Sequence, residues 1–127
     1  MSASDRPVQD IGISDEDVNR ILDRLDDAET RVRKSERRSV RRYLRGTAMV
    51  ATVLRPGASA DVFRGRIRNI SDHGVAILSP VALAPGTQLQ IELPIGPGLS
   101  IVEKAAVVRR CRQVEGTIHE IGTEFGS

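Results

Sequence analysis

Cysteine occurs once, at Cys111, which excludes a disulfide framework and a cysteine-based metal site and leaves a small apolar strand residue. Tryptophan is absent and the aromatics are Tyr43, Phe63 and Phe125, so a core has to be assembled from Val, Ile, Leu and Ala, which suits a compact barrel or sandwich. The two histidines, His73 and His119, have no carboxylate or cysteine companion at metal-ligand spacing and read as structural. No side chain near Ser71 in sequence would activate it as a nucleophile, and no catalytic constellation is visible. The reading is therefore of a non-enzyme without metal or cofactor. No apolar run approaches the roughly 20 residues that cross a bilayer. Met1-Ser2-Ala3-Ser4-Asp5 also lacks the basic and then apolar pattern of a secretory signal, so a cytoplasmic location is the expectation.

Charge is present, and unevenly. A chain of 127 residues suits one domain with a single core and perhaps one appended element. Cut after Glu36, it has ten acidic and six basic residues on the N-terminal side, a net of −4, against seven acidic and thirteen basic on the C-terminal side, a net of +6. The basic part is where an anionic partner is expected. Seventeen of the nineteen basic residues are arginine, whose planar fork suits guanine edges and phosphates; Arg-rich codon usage would produce the same bias.

Two regions follow from the patterning, residues 1–35 as a polar arm with an amphipathic helix and residues 36–127 as a β domain. Met1 to Ile13 is polar and aperiodic and reads as a loose arm. Ser14 then serves as an N-cap with three acids behind it, where their charge complements the free amides of a helix start. Val18, Ile21, Leu22, Leu25, Ala28 and Val32 make one apolar stripe on a helix predicted from Ser14 to Lys34. Such a stripe requires burial, either on the chain's own β domain or against a second copy in a homodimer.

From Gly46 the pattern becomes extended. Strands are predicted over Thr47–Leu54, Ala60–Ile70, Gly74–Leu78, Leu89–Leu93, Ser100–Cys111 and Thr117–Phe125, separated by turns such as Arg55-Pro56-Gly57 and Ala84-Pro85-Gly86. Phe63 and Ile67 share one face of their strand and Arg64, Arg66 and Arg68 the other; Glu92, Glu103, Glu120 and Glu124 read as the outer faces of strands. Six strands without crossover helices indicate a mainly β fold, an antiparallel barrel or sandwich.

Two clusters carry the functional signal. Arg37-Arg38-Ser39-Val40-Arg41-Arg42 supplies forks ahead of the first strand, and Asn69-Ile70-Ser71-Asp72-His73-Gly74 supplies an amide, a hydroxyl and a glycine at a tight turn. Guanine presents O6 and N7 to an arginine fork and N1 and N2 to an oxygen acceptor such as the Asn69 amide. Phosphates call for more arginine and for a hydroxyl such as Ser71, while Gly74 allows a positive φ or a close backbone approach. From the residues alone, the arginine run also reads as a solvated linker or as a nucleic-acid phosphate contact, although the sequence lacks the aromatic platform of single-strand binders.

These two motifs resemble the signature of the PilZ domain, a six-stranded antiparallel β-barrel that binds the bacterial second messenger cyclic di-GMP. Arg38 and Arg42, followed by Tyr43 and preceded by Arg37, match its Arg-x-x-x-Arg motif, and Arg37 with Arg41 satisfies the same spacing one residue earlier. Asn69, Ser71 and Gly74 match its Asn-x-Ser-x-x-Gly motif. Ile121-Gly122-Thr123-Glu124-Phe125 is similar to its last strand, so the resemblance covers about residues 36 to 126. It implies that Arg38 and Arg42 hold guanine edges and phosphates, Asn69 accepts from guanine N1 and N2, and Ser71 bonds the base or a phosphate. Gly74 would leave room, and Arg37 would contact a second nucleotide. Many members continue past the barrel into a helix over its mouth; here the helix precedes the barrel and is expected to plug it or to pair two copies. The implied function is a cyclic di-GMP receptor that reports to a partner protein through the arginine segment and the helix, with no membrane insertion and no nucleic acid. A ligand-free interaction module or a small nucleic-acid-binding barrel is the alternative.

Overall fold

A computed structural model describes residues 8–33, 44–54 and 61–126, with the side chains of residues 29–33 excepted. Seven strands and one long helix follow in the order β1 (Gln9–Asp10), α1 (Asp15–Arg33), β2 (Ala48–Leu54), β3 (Asp61–Ile70), β4 (Val75–Ser79), β5 (Gln88–Leu93), β6 (Val102–Glu115) and β7 (Ile118–Phe125). The strands run in the order β1-β3-β2-β5-β6-β7-β4, and a further pairing of β4 with β3 closes β2 to β7 into a six-stranded barrel, antiparallel throughout. The predicted fold class therefore stands.

Alternation sends Met49, Ala51 and Val53 of β2, Phe63 and Ile67 of β3, Ile77 of β4, Leu89, Ile91 and Leu93 of β5, Val108 of β6 and Ile121 of β7 into one interior cluster. Cys111 packs at its margin, as a small apolar strand residue would. With so few aromatics, branched aliphatics fill the lumen, and among the described residues Phe63 is its one fully buried ring.

A second cluster lies outside the barrel wall. Val18, Ile21, Leu22 and Leu25 of α1 pack with Ile11, Leu78 and Ile118, so the helix stripe is buried on the chain's own barrel. Ala28, expected in that stripe, is exposed, and Val32 lies beyond the described side chains. Ser14 caps the helix as its sequence implies, its Oγ accepting from the Asp17 amide at 3.1 Å.

Two departures from the strand predictions share one cause, the docking of α1. The arm read as loose contains β1, which pairs parallel to β3 with Gln9 opposite Phe63, and Ile11 is buried beside the helix. β6 runs on to Glu115 rather than ending at Cys111, because its hairpin with β7 reaches past the barrel to hold the helix. There Arg20 forks onto Glu115 at 2.8 and 2.9 Å, and Arg24 donates to the Val114 carbonyl at 3.1 Å. That hydrogen bond from Arg20 holds the Glu115 carboxyl below its ordinary range.

The charge asymmetry resolves in the same seam. Acids ahead of and within α1 face arginines of the β domain: Asp15 meets Arg66 at 2.8 Å, Asp23 and Asp26 meet Arg45 at 2.7 and 3.1 Å, Asp26 meets Arg68 at 3.3 Å, and Asp10 of β1 lies 3.8 Å from Arg64. Two residues read as solvent-facing are buried here, Glu120 at 0 % and Arg68 at 2 % exposure. Both do lie outside the barrel lumen, but α1 covers that part of the wall. They form an ion pair with each other, and Arg112 Nε adds a 2.7 Å bond to the same carboxylate.

Candidate functional site

The Asn-x-Ser-x-x-Gly segment forms the turn between β3 and β4. Ser71 N donates to Gly74 O at 2.9 Å, and Ser71 Oγ accepts from the His73 amide at 3.2 Å. Among the described residues the hydroxyl proton of Ser71 then has no acceptor, which suits donation to a phosphate or carbonyl oxygen. Phe125 N donates to His73 O at 2.7 Å, fixing the turn to the end of β7.

Gly74 has a structural reason of its own. Its φ is not positive, and a Cβ built there would collide with the Thr123 carbonyl of β7. The glycine therefore lets two backbones touch, rather than supplying a left-handed turn. Thr123 completes the contact, its Oγ1 donating to Val75 O at 2.8 Å and accepting from Val75 N at 3.3 Å.

Asn69 is aimed by a β-bulge. Phe63 and Ile67 point inward, so strict alternation would turn Asn69 into the core and Ile70 out. The register slips between Ile67 and Asn69, leaving Arg68 as the extra residue, so Asn69 pairs with Ala76 and Ile70 with Val75. Ile70 is consequently buried at 4 % and Asn69 sits on the outer wall. Among the described residues its side-chain amide makes no hydrogen bond.

The wall beside Asn69 has a regular construction. Asn69 of β3 lies opposite Ala76 of β4, Ala76 opposite Gly122 of β7, and Gly122 opposite Arg110 of β6. The two middle positions carry almost no side chain. Arg110 leans from its own strand over β7, since a Cβ built on Gly122 would lie 3.0 Å from its Cγ and Nε and 3.1 Å from its Cζ. Sequence reading passed over this row, for which a glycine inside a strand is the available signal.

Arg37, Arg38 and Arg42, with the alternative Arg41, fall outside the described residues. The chain that follows them is fixed close to Asn69, and α1 ahead of them touches the same part of β3. Gly46 N donates to Ile67 O at 2.7 Å and Ile67 N to Thr47 O at 2.8 Å, so the chain leading into β2 is bonded to β3 two residues before Asn69. Asp26 of α1, eleven residues before Arg37, meets Arg68, the residue next to Asn69.

A family model for the PilZ domain matches residues 32–127. The chain belongs to the PilZ domain family. That family is known for binding cyclic di-GMP, and its domains are binding and adaptor modules, while not every member binds the nucleotide. No curated protein and no solved structure matches the chain. The six-stranded antiparallel barrel is the fold that the resemblance implied, and no described helix is long and apolar enough to cross a membrane.

Proposed function

We propose that this protein is a cytoplasmic bacterial receptor for cyclic di-GMP that passes ligand binding to a partner protein through α1. The observation that supports this reading is the shared location of its parts. Asn69 and Ser71 stand at one end of β3, where the Gly46–Thr47 stretch that follows the arginine segment is bonded to Ile67, and Asp26, farther back in α1, meets Arg68. Asn69 then accepts from guanine N1 and N2, Ser71 donates to a phosphate or base oxygen, and Arg37, Arg38 and Arg42 supply the remaining forks. Closure of the arginine segment on the nucleotide pulls on the Asp26–Arg68 contact and shifts the population of the docked helix. The reported partner is a different protein rather than a second copy, because the apolar stripe of α1 is already spent on the barrel. A broad nucleic-acid surface is disfavoured by the acids that engage Arg45, Arg64, Arg66, Arg68, Arg109 and Arg112.

Calorimetry with cyclic di-GMP tests the reading. Wild type is expected to bind at micromolar ligand, Arg38→Ala and Arg42→Ala to lose about tenfold or more, and Ser71→Ala to lose several-fold with a melting temperature lowered only by the loss of its exposed bond to the His73 amide. Arg41→Ala as weak as Arg38→Ala would move the arginine motif one residue earlier. No heat from wild type at micromolar ligand would leave a ligand-free interaction module.

A further inference from the structure

From Leu93 to Val102, through the loop that joins β5 to β6, the chain carries no charged side chain. Leu99 and Ile101 at this tip are 53 % and 59 % exposed, the two most exposed large apolar side chains among the described residues. A lone exposed aliphatic is ordinary, but these two stand together on a braced loop. Ile95 N donates to Leu93 O, Gly96 N to Ser100 O and Leu99 N to Gly96 O, each at 2.9 Å, and Ile95 packs against the lumen cluster. α1 packs over Leu78 of β4 and Ile118 of β7, so its docking does not use this part of the molecule.

Leu99 is unfavourable there on two counts. Ser100 N donates to Pro97 O at 3.2 Å, closing a turn whose central residues, Gly98 and Leu99, have φ of 64° and 63°. Such a turn favours glycine or asparagine at both centres, because a branched side chain crowds the backbone in the left-handed region. Among the described residues Leu99 is the one non-glycine residue with a positive φ, and burial does not offset the strain. Strained residues of this kind cluster at ligand and partner contacts. Beside the tip, Glu92 of β5 lies directly opposite Glu103 of β6, a like-charged pair that repels. Gln90 Nε2 donates to Glu103 at 3.3 Å, yet among the described residues neither carboxylate has an ion pair. Lys104 lies on the other face of β6, its Nζ 5.4 Å from the centre of the Phe125 ring.

We propose that the β5–β6 tip is a docking knob for a different protein, with Leu99 and Ile101 entering an apolar groove and Glu92 and Glu103 meeting basic side chains at its margin. The uncompensated carboxylates select that partner: an anionic lipid surface would repel them, whereas a lysine or arginine border neutralises both. The cleft between α1 and β2 of a second copy is a poor seat for a leucine, being lined by Asp15, Asn19, Arg45, Thr47 and Arg66. Because the braced turn already holds Leu99 outward, little loop freedom is lost when the knob is buried. The assignment uses a surface separate from α1 and is independent of the nucleotide.

The probe is a synthetic amphipathic helix of leucine and lysine, titrated into the full chain while the backbone amide shifts are followed. Its leucine and glutamate counterpart and vesicles of phosphatidylglycerol are the comparisons. The Leu/Lys helix is expected to move the amides from Glu92 to Glu103, and the other two to leave them in place. Leu99→Gly and Ile101→Gln are each expected to weaken its binding about tenfold, the scale of one aliphatic side chain buried. Glu92→Gln combined with Glu103→Gln is expected to weaken it at low salt and to match wild type at high salt. Val8→Gln, a polar change at an exposed apolar residue elsewhere, is expected to bind as wild type. Glycine suits the turn, so Leu99→Gly is expected to keep or raise the melting temperature. A clear fall in that temperature assigns Leu99 a structural role and overturns the proposal. Tip amides that the Leu/Lys helix does not move, or Leu99→Gly binding it as tightly as wild type, overturn it as well. Equal movement by phosphatidylglycerol vesicles overturns it in favour of a lipid surface, and self-association of the chain that Leu99→Gly abolishes overturns it in favour of a second copy.

Discussion

Two rows of residues cross the same outer wall of the barrel, one step apart, and they are built to opposite rules. One runs Arg66, Leu78, Glu120, Arg112, and the other runs Asn69, Ala76, Gly122, Arg110. The first carries large side chains throughout, and at its middle Leu78 and Glu120 are fully buried, with α1 packing over Leu78. The second has its bulk at the ends and almost nothing in the middle. Helix docking needs knobs and counter-charges, and the middle of the second row offers neither, only Ala76 and a glycine over which Arg110 leans. Arg68, the bulge residue, stands between the rows, pairing with Glu120 and with Asp26 of the helix while its chain neighbour Asn69 begins the second.

The largest effect separating the rows is expected at Glu120. Removing its carboxylate by Glu120→Ala takes the Glu120 counter-charge from Arg68, which sits at 2 % exposure and keeps Asp26 at 3.3 Å. Breaking a buried pair from one side typically costs about 3–5 kcal/mol, so urea unfolding should show a loss of that order. Glu124→Ala breaks an exposed pair with Arg109 on the same strand, and its cost should stay within about 1 kcal/mol. Equal losses for the two variants would mean that α1 does not seal the Glu120 row from water. Gly74→Ala comes next, at about 1–3 kcal/mol, because the new Cβ has to push the β3–β4 turn off the Thr123 carbonyl. Its unfolding midpoint is the measure, and a variant as stable as wild type would remove close packing as the reason for that glycine.

Legibility in the sequence divides along the same line. The lumen could be read from period-two alternation, as in Leu89, Ile91 and Leu93, and the turn could be read from Asn69, Ser71 and Gly74 because its contacts are mostly local. What covers the outer wall could not. Glu120 has the same alternating phase as an exposed glutamate, since a strand's pattern reports which face a residue is on and says nothing about a helix that packs there from some ninety residues away in sequence. The stripe of α1 announced that it would be buried, but an amphipathic helix fits a barrel wall or a second copy equally well. The bulge at Arg68 was hidden for a related reason, because it is defined by the register against β4 rather than by any residue of β3 alone. The row from Asn69 to Arg110 exists only through three successive strand pairings, which no linear motif contains.

The smallest expected effect lies where the helix meets the β6–β7 hairpin, and its sign can be derived from the Arg20–Glu115 contact. Arg20 lowers the Glu115 carboxyl in the folded protein below its ordinary value of 4.5. A carboxyl lowered by folding adds stability above its unfolded pKa and loses that contribution as pH falls through the folded one. Wild type should therefore lose a small increment of melting temperature on acidification below about pH 4.5 that Glu115→Gln does not lose. The two curves should be apart near neutrality, with wild type higher, and converge in acid. Both side chains are substantially exposed, so the separation should shrink in high salt, unlike the loss at Glu120, which solvent ions reach poorly. Curves that stay parallel down to acid would show that the Arg20–Glu115 fork does not hold in solution. In that case the helix would be fastened by its apolar stripe and the Asp26–Arg68–Glu120 contacts, and the hairpin extension of β6 would have lost its electrostatic reason.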